Sequence, residues 1–176
     1  PDGDAPLDLD TFLTNPAEVR IGAFNATRGE EVWFTKDDMR TVEEVGRCVR
    51  ASSTLPIIMP TVTIDGDTYV DGALGPNGGI PLDAPMRDGY RKFFVVLTRP
   101  RDFVTTPTKP GVCSALRLAF PRLPSIAEAL ARRTVAYHAA RRKLFHLEEQ
   151  GRALLVTPRD LCITQMDITV HILQDD

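Results

Sequence analysis

Asp65-Gly66 stands between two short β-rich runs, and no other stretch of this sequence narrows the fold as far. Before it, Val62 and Ile64 alternate with Thr61 and Thr63; after it come Thr68, Tyr69 and Val70. A two-residue Asp-Gly connection predicts a β-hairpin, because a type I′ turn needs positive φ at both central positions. The second strand runs directly into Asp71. The chain then reads Gly72-Ala73-Leu74-Gly75-Pro76-Asn77-Gly78-Gly79, too rich in glycine for regular structure. A hairpin therefore delivers a carboxylate to the mouth of a glycine loop.

The remaining elements follow from periodicity. Residues 1–15 are acidic, with Pro and Gly, and read as a loop or a short helix edge. The apolar runs 19–26 and 31–34, separated by Thr27-Arg28-Gly29-Glu30, read as two strands joined by a turn. Asp37 and Asp38 are expected to cap the helix that follows. Val42, Val45 and Val49 give that helix its spacing, and it should end near Ser52 and Ser53, before Pro56. The run 93–98 is short, apolar and β-branched, as expected of a strand buried on both faces. Residues 101–111 read as a loop. Ser125 and Glu128 have capping-box spacing and open a long helix through Ile126, Leu130, Tyr137, Ala140, Leu144 and Leu147, stopped at Gly151. Strands are expected at 153–157 and at 167–173, the latter a last short strand or tail. Strands alternating with helices predict an α/β fold with a layered sheet.

Bulk properties exclude several function classes. The chain has 176 residues, 43% of them hydrophobic and 26% charged, which is globular and not disordered composition. A net charge of -3 gives no electrostatic case for nucleic acid. Cys48, Cys113 and Cys162 are scattered, with no CxxC pair, and the histidines His138, His146 and His171 have no metal-ligand spacing. No metal and no cofactor is therefore expected, and a reducing, cytoplasmic setting is, with contact at a membrane periphery left open. No apolar run is long enough to span a bilayer. The opening Pro1-Asp2-Gly3-Asp4 lacks both a methionine and a leader, as expected of a chain cut from a longer one.

Asp71 is the leading candidate for chemistry. A rigid strand aims it and a loop leaves it accessible, although Asp-Gly is also an ordinary turn pair. Ser52 and Ser53 are better suited to helix-end hydrogen bonds than to nucleophilic attack. Residues 75–79 could form an anion nest but lack the Lys-Ser/Thr of a P-loop; supporting the aspartate suits them better. Arg132, Arg133, Arg141, Arg142 and Lys143 point around most of the long helix at about 100° per residue. They read as a solvated surface paired with Glu128, Glu148 and Glu149.

The segment Ala51-Ser52-Ser53-Thr54-Leu55-Pro56, the hairpin Ile64-Asp65-Gly66-Asp67-Thr68-Tyr69-Val70-Asp71-Gly72-Ala73 and the loop from Asn77 to Pro81 together resemble the patatin-like phospholipases. Val95-Val96-Leu97-Thr98-Arg99-Pro100 and the stretch 121–137, with Arg132-Arg133 ahead of Tyr137, are similar to a bacterial patatin-like subgroup. The resemblance implies an acyl-ester hydrolase of lipid or simple carboxylic esters. In that family a serine in a G-x-S-x-G elbow attacks the ester, and an aspartate, here Asp71, activates it. Gly72, Ala73 and Asn77 would support the active-site loop, with Ala73 where many members have a second glycine. The implied fold is a partial patatin-like three-layer fold around a central, mostly parallel sheet. Residues 1–112 would form the C-terminal half of the catalytic domain, and 113–176 an appended helix–strand region.

One departure limits the chain. Its only serines are Ser52, Ser53, Ser114 and Ser125, and none lies in G-x-S-x-G. In the family, elbow and oxyanion loop lie N-terminal to the stretch present here. The expectation is therefore a hydrolase fragment, inactive alone, whose partners are the missing N-terminal half and, through the intact parent, a lipid or small ester substrate. Its uncovered apolar sheet is expected to self-associate. The rival reading is a non-catalytic interaction module on the same half-fold.

Overall fold

A computed structural model describes residues 6–158 and the backbone of residues 170 and 171. Cys162 and most of the expected strand at 167–173 lie outside the described residues. The order is α1 (Leu9–Thr14), β1 (Ile21–Asn25), β2 (Glu30–Phe34), a 3₁₀ turn (Lys36–Asp38), α2 (Val42–Ser53), β3 (Val62–Ile64) and β4 (Asp67–Asp71). A second 3₁₀ turn (Gly72–Leu74), α3 (Asp83–Arg87), β5 (Phe93–Val96), α4 (Pro110–Ala119), α5 (Pro124–Glu149), β6 (Ala153–Val156) and β7 (Val170–His171) complete it. The fold is mixed α/β.

Two sheets result. The first runs β2-β1-β4-β3 and is antiparallel throughout; the second runs β6-β5-β7, with β5 parallel to β6 and antiparallel to β7. The mostly parallel sheet expected from the resemblance is thus not what the described residues form. Short turns join β1 to β2 and β3 to β4, and a short turn can only reverse a strand. The β3–β4 turn has the expected geometry, with φ of 51° at Asp65 and 86° at Gly66. In β5, Phe93 and Val95 are buried and Phe94 and Val96 half-buried, so that strand alternates where burial on both faces was expected.

Alternation along β1 and β4 gives the first sheet two apolar faces. Ala23 and Tyr69 pack with Phe34, Met39, Cys48 and Ala51 beneath α2. Phe24 and Val70 pack with Leu116, Ile126, Ala127 and Ala129 of α4 and α5. The C-terminal part of α5 covers the second sheet through Tyr137, Ala140, Leu144 and Leu147, against Phe93, Val95 and Leu155. A single 26-residue helix therefore packs on both sheets.

Four local readings need correction. The cap of α2 is Thr41, whose side chain accepts from the Glu44 N–H while Glu44 returns a bond to the Thr41 N–H; Asp37 and Asp38 sit in the preceding 3₁₀ turn. The helix α5 begins at Pro124 with no side-chain cap, because Ser125 Oγ donates instead to the Ala26 carbonyl at 2.5 Å. Residues 110 and 111, read as loop, open α4, where Pro110 supplies the preset φ of a first helical turn. Arg141, read as solvated, is 3% exposed. Its guanidinium donates to the carbonyls of Pro100 and Arg101 and to Tyr137 Oη, which pins the chain leaving β5 onto α5.

Leu144, 0% exposed, is central to that packing. Leu144→Ala is expected to cost about 2–5 kcal/mol of unfolding free energy, measured by urea denaturation followed by circular dichroism. A loss below about 1 kcal/mol would show that α5 is not what closes the second core.

Candidate active site

The β1–β4 ladder ends with Ala23 opposite Asp71. Three backbone features then hold Asp71 in place. Its N–H donates to the Thr54 carbonyl at 2.9 Å, tying the strand end to the end of α2. Its side chain caps the following 3₁₀ turn, with Oδ1 accepting from the Ala73 N–H at 2.7 Å. Gly72 then passes so close to β1 that a Cβ there would lie 2.5 Å from the Gly22 carbonyl oxygen. Glycine after the aspartate is thus a packing requirement, set by the close approach of two backbones. Further on, Gly78 (φ +63°) lies against the backbone of Tyr137, where a Cβ would approach to 2.7 Å. The loop is clamped between β1 and α5.

Asp71 opens onto a cleft of about 1230 Å³. The walls come from α1, β1 and β2, the end of α2, the glycine loop, α3, the chain after β5, and α5. Burial pushes the Asp71 carboxyl above the usual carboxylate range; the Ala73 N–H and the Arg133 guanidinium pull the other way and only partly offset it. Glu31, on the same wall, is also raised, by burial first, although Trp33 Nε1 donates to it at 3.1 Å. The site therefore holds a carboxylate with one oxygen bound to backbone and its basicity increased by desolvation, as a general base requires.

The other sequence candidates divide. Ala73 supplies the N–H that orients Asp71, and Gly72 permits the approach to β1. Asn77 lies in the loop but serves Asp83: burial pushes the Asp83 carboxyl up, while Lys143 Nζ at 2.6 Å and the nearby Asn77 amide more than offset this. The Asn77 amide nitrogen stops short of hydrogen-bond geometry there. Ser52 and Ser53 line the cleft, but Ser52 Oγ donates to the Gly22 carbonyl at 2.6 Å and Ser53 Oγ to the Val49 carbonyl at 2.9 Å. Neither is bonded to Asp71. His138 lies 3.3 Å from the Thr105 carbonyl, and His146 bonds Gln150 on the exposed side of α5. No group of acidic, histidine and cysteine side chains among the described residues could hold a metal ion.

Of the five basic residues on α5, Arg133 lines the Asp71 cleft. In the sequence it reads, with the other four, as solvated surface; its spacing to Tyr137, four residues on, puts the two on the same helix face. Glu148, expected to pair along the helix, instead takes a two-pronged bond from Arg101 at 2.6 Å.

Residues 5–86 match the model of the patatin-like phospholipase family. Over that stretch, just under half of its length, the chain is similar to that family. It contains the end of α2, the hairpin, Asp71, Gly72, Ala73 and Asn77. The region from β5 onward lies outside the match. No curated protein and no solved structure matches the chain. Among the described residues no helix is long and apolar enough to cross a membrane.

Two outcomes are expected for the segment around Asp71. Gly72→Ala is expected to cost about 1–3 kcal/mol, since the new methyl group meets backbone rather than a movable side chain; unchanged stability in urea denaturation would refute the clamp. The second concerns pH. A carboxyl with higher proton affinity folded than unfolded takes up protons on folding. Stability is therefore lost as pH rises from the unfolded value, about 3.9, through the raised folded one. Asp71→Asn removes that loss, so the variant should melt above the wild type at pH 7, with the gap closing below about pH 4. A gap independent of pH would show that Asp71 is not desolvated.

Proposed function

We propose that this chain supplies the base of a patatin-like acyl-ester hydrolase, with Asp71 as the aspartate of a Ser-Asp dyad and the serine carried by a polypeptide segment outside this chain. The observation that supports the reading most is the state of the Asp71 carboxylate. Oδ1 is spent on the Ala73 N–H, and among the described residues no side-chain donor is bonded to Oδ2. The group faces a cleft large enough for an acyl ester, and burial has raised its proton affinity.

In this reading a serine hydroxyl enters the cleft and donates to Oδ2. As its oxygen attacks the ester carbonyl carbon, the proton passes to Asp71 and the carbonyl oxygen takes up the negative charge. Collapse of the tetrahedral intermediate expels the alcohol, which takes the proton back from Asp71 and leaves an acyl-enzyme. Water, deprotonated by the same aspartate, then releases the acid and regenerates the serine. Desolvation suits this role because a fully solvated carboxylate is too weak a base. Two backbone tethers hold the aspartate while the hydroxyl proton moves. Lipid or simple carboxylic esters are the substrate class, and the serine segment docks in the cleft in cis or in trans.

The chain alone is expected to hydrolyse p-nitrophenyl butyrate no faster than buffer. Joined to, or mixed with, the segment encoded upstream of Pro1, if that carries G-x-S-x-G, it should turn over the ester. Asp71→Asn should then lower kcat on the order of 10⁴-fold, the scale at which triad aspartates act. Turnover by the repurified chain alone, or a kcat untouched by Asp71→Asn in the joined form, would overturn the reading.

A further inference from the structure

Charges lining the Asp71 cleft are equal in number, Glu18, Glu31, Asp71 and Asp88 against Arg20, Lys36, Arg99 and Arg133, but they are unevenly paired. Arg20 is neutralised by Asp88 at 2.8 Å and Glu18 at 3.5 Å. Lys36 is occupied by the Asn15 carbonyl and lies over the Phe12 ring. Two guanidiniums, Arg99 and Arg133, line the same cleft, and neither forms a salt bridge or a hydrogen bond among the described residues.

Both are placed in that cleft by elements that meet at Tyr137. Arg99 lies over the Phe103 ring at 4.9 Å, and Phe103 packs edge-on against Tyr137 with centroids 6.4 Å apart. Arg133 is one helical turn before Tyr137 on the same face of α5, and the glycine loop touches that helix at Tyr137 through Gly78. The buried Arg141 bonds to the carbonyls of Pro100 and Arg101, which fixes the backbone that carries Arg99. Arg133 is also near enough to Asp71 for its charge to be felt there. Both side chains are exposed to the cleft and their backbones are held.

We propose that Arg99 and Arg133 form an anion subsite beside Asp71 that binds the phosphate group of an ester substrate. This deepens the hydrolase reading and rests on it for the identity of the substrate. Two planar guanidiniums present ten N–H donors and two positive charges, which suits a phosphate or phosphodiester better than a single carboxylate. Part of the cleft wall is apolar, including Phe12, Leu55 and Phe103, so the attraction is less screened than in open water. The subsite would set an acyl ester with its phosphate on α5 and its carbonyl toward Asp71.

Isothermal titration of the chain with inorganic phosphate, with dibutanoyl phosphatidylglycerol below its micelle concentration, and with acetate tests the proposal. Both phosphates should bind and acetate at least tenfold more weakly. Phosphatidylglycerol binding the tighter would identify the lipid form as the fitting ligand, and equal affinities a bare phosphate site; both support the subsite. Arg133→Met and Arg99→Met should each weaken phosphate binding tenfold or more, with unchanged circular dichroism, whereas Arg122→Met, outside the cleft, should not. Asp71→Asn should tighten binding, because it removes a facing negative charge. No binding by the wild type, affinities unchanged in both arginine variants, or acetate binding as tightly as phosphate would overturn the subsite. None of these outcomes requires turnover, so the subsite can fail while the hydrolase reading stands, and the reverse.

Discussion

The structure around the candidate site depends on one close approach, that of Gly72 to the Gly22 carbonyl. The antiparallel ladder of β1 and β4 carries the chain to Asp71, and the backbone then turns against β1 with no room for a side chain. Because the turn is that tight, the Ala73 N–H falls within reach of Asp71 Oδ1 and the carboxylate is oriented by its own backbone. The Thr54 carbonyl holds the same residue from the side of α2. An aspartate so tethered keeps its direction whether or not a reaction partner is present, which is the preorganisation a base requires.

The long helix α5 connects this device to the rest of the molecule. Its N-terminal part packs on the first sheet and its C-terminal part on the second. At Tyr137, between the two, the glycine loop meets it through Gly78. The same stretch brings Arg133 into the cleft, and Arg141, buried one turn past Tyr137, secures the chain leaving β5. The helix thus supplies part of the cleft wall and one of its charges. Burial raises the proton affinity of Asp71 while Arg133 moderates it, so the helix position bears on the basicity of a residue on another element.

Much of this was readable in the sequence where the signal is local. The Asp65-Gly66 turn, the strand into Asp71 and the glycine loop follow from backbone conformations that few residues tolerate, and they form as expected. Errors arose where a local preference met a tertiary competitor. Ser125 has a capping partner three residues on, yet its hydroxyl bonds to Ala26 across the fold. Arg141 sits among charged neighbours, yet aromatic rings and two carbonyls bury it. Pro110 and Gly111 resemble the loop before them, and it is the burial of Cys113 and Leu116, the latter against Ile126, Ala127 and Ala129 of α5, that makes them the start of a helix.

The sequence by itself determined the hairpin that ends at Asp71 and the glycine-rich loop after it, because the geometry of the Asp65-Gly66 turn is decided within a few residues by steric exclusion. It also determined that no serine elbow is present in this chain. Only the tertiary structure decided the pairing of β1 with β4 and of β5 with β6, the burial that raises Asp71 and the arrival of Arg99 and Arg133 in one cleft. Those depend on contacts between residues far apart in the chain, made through packing against α5, and no local preference encodes them.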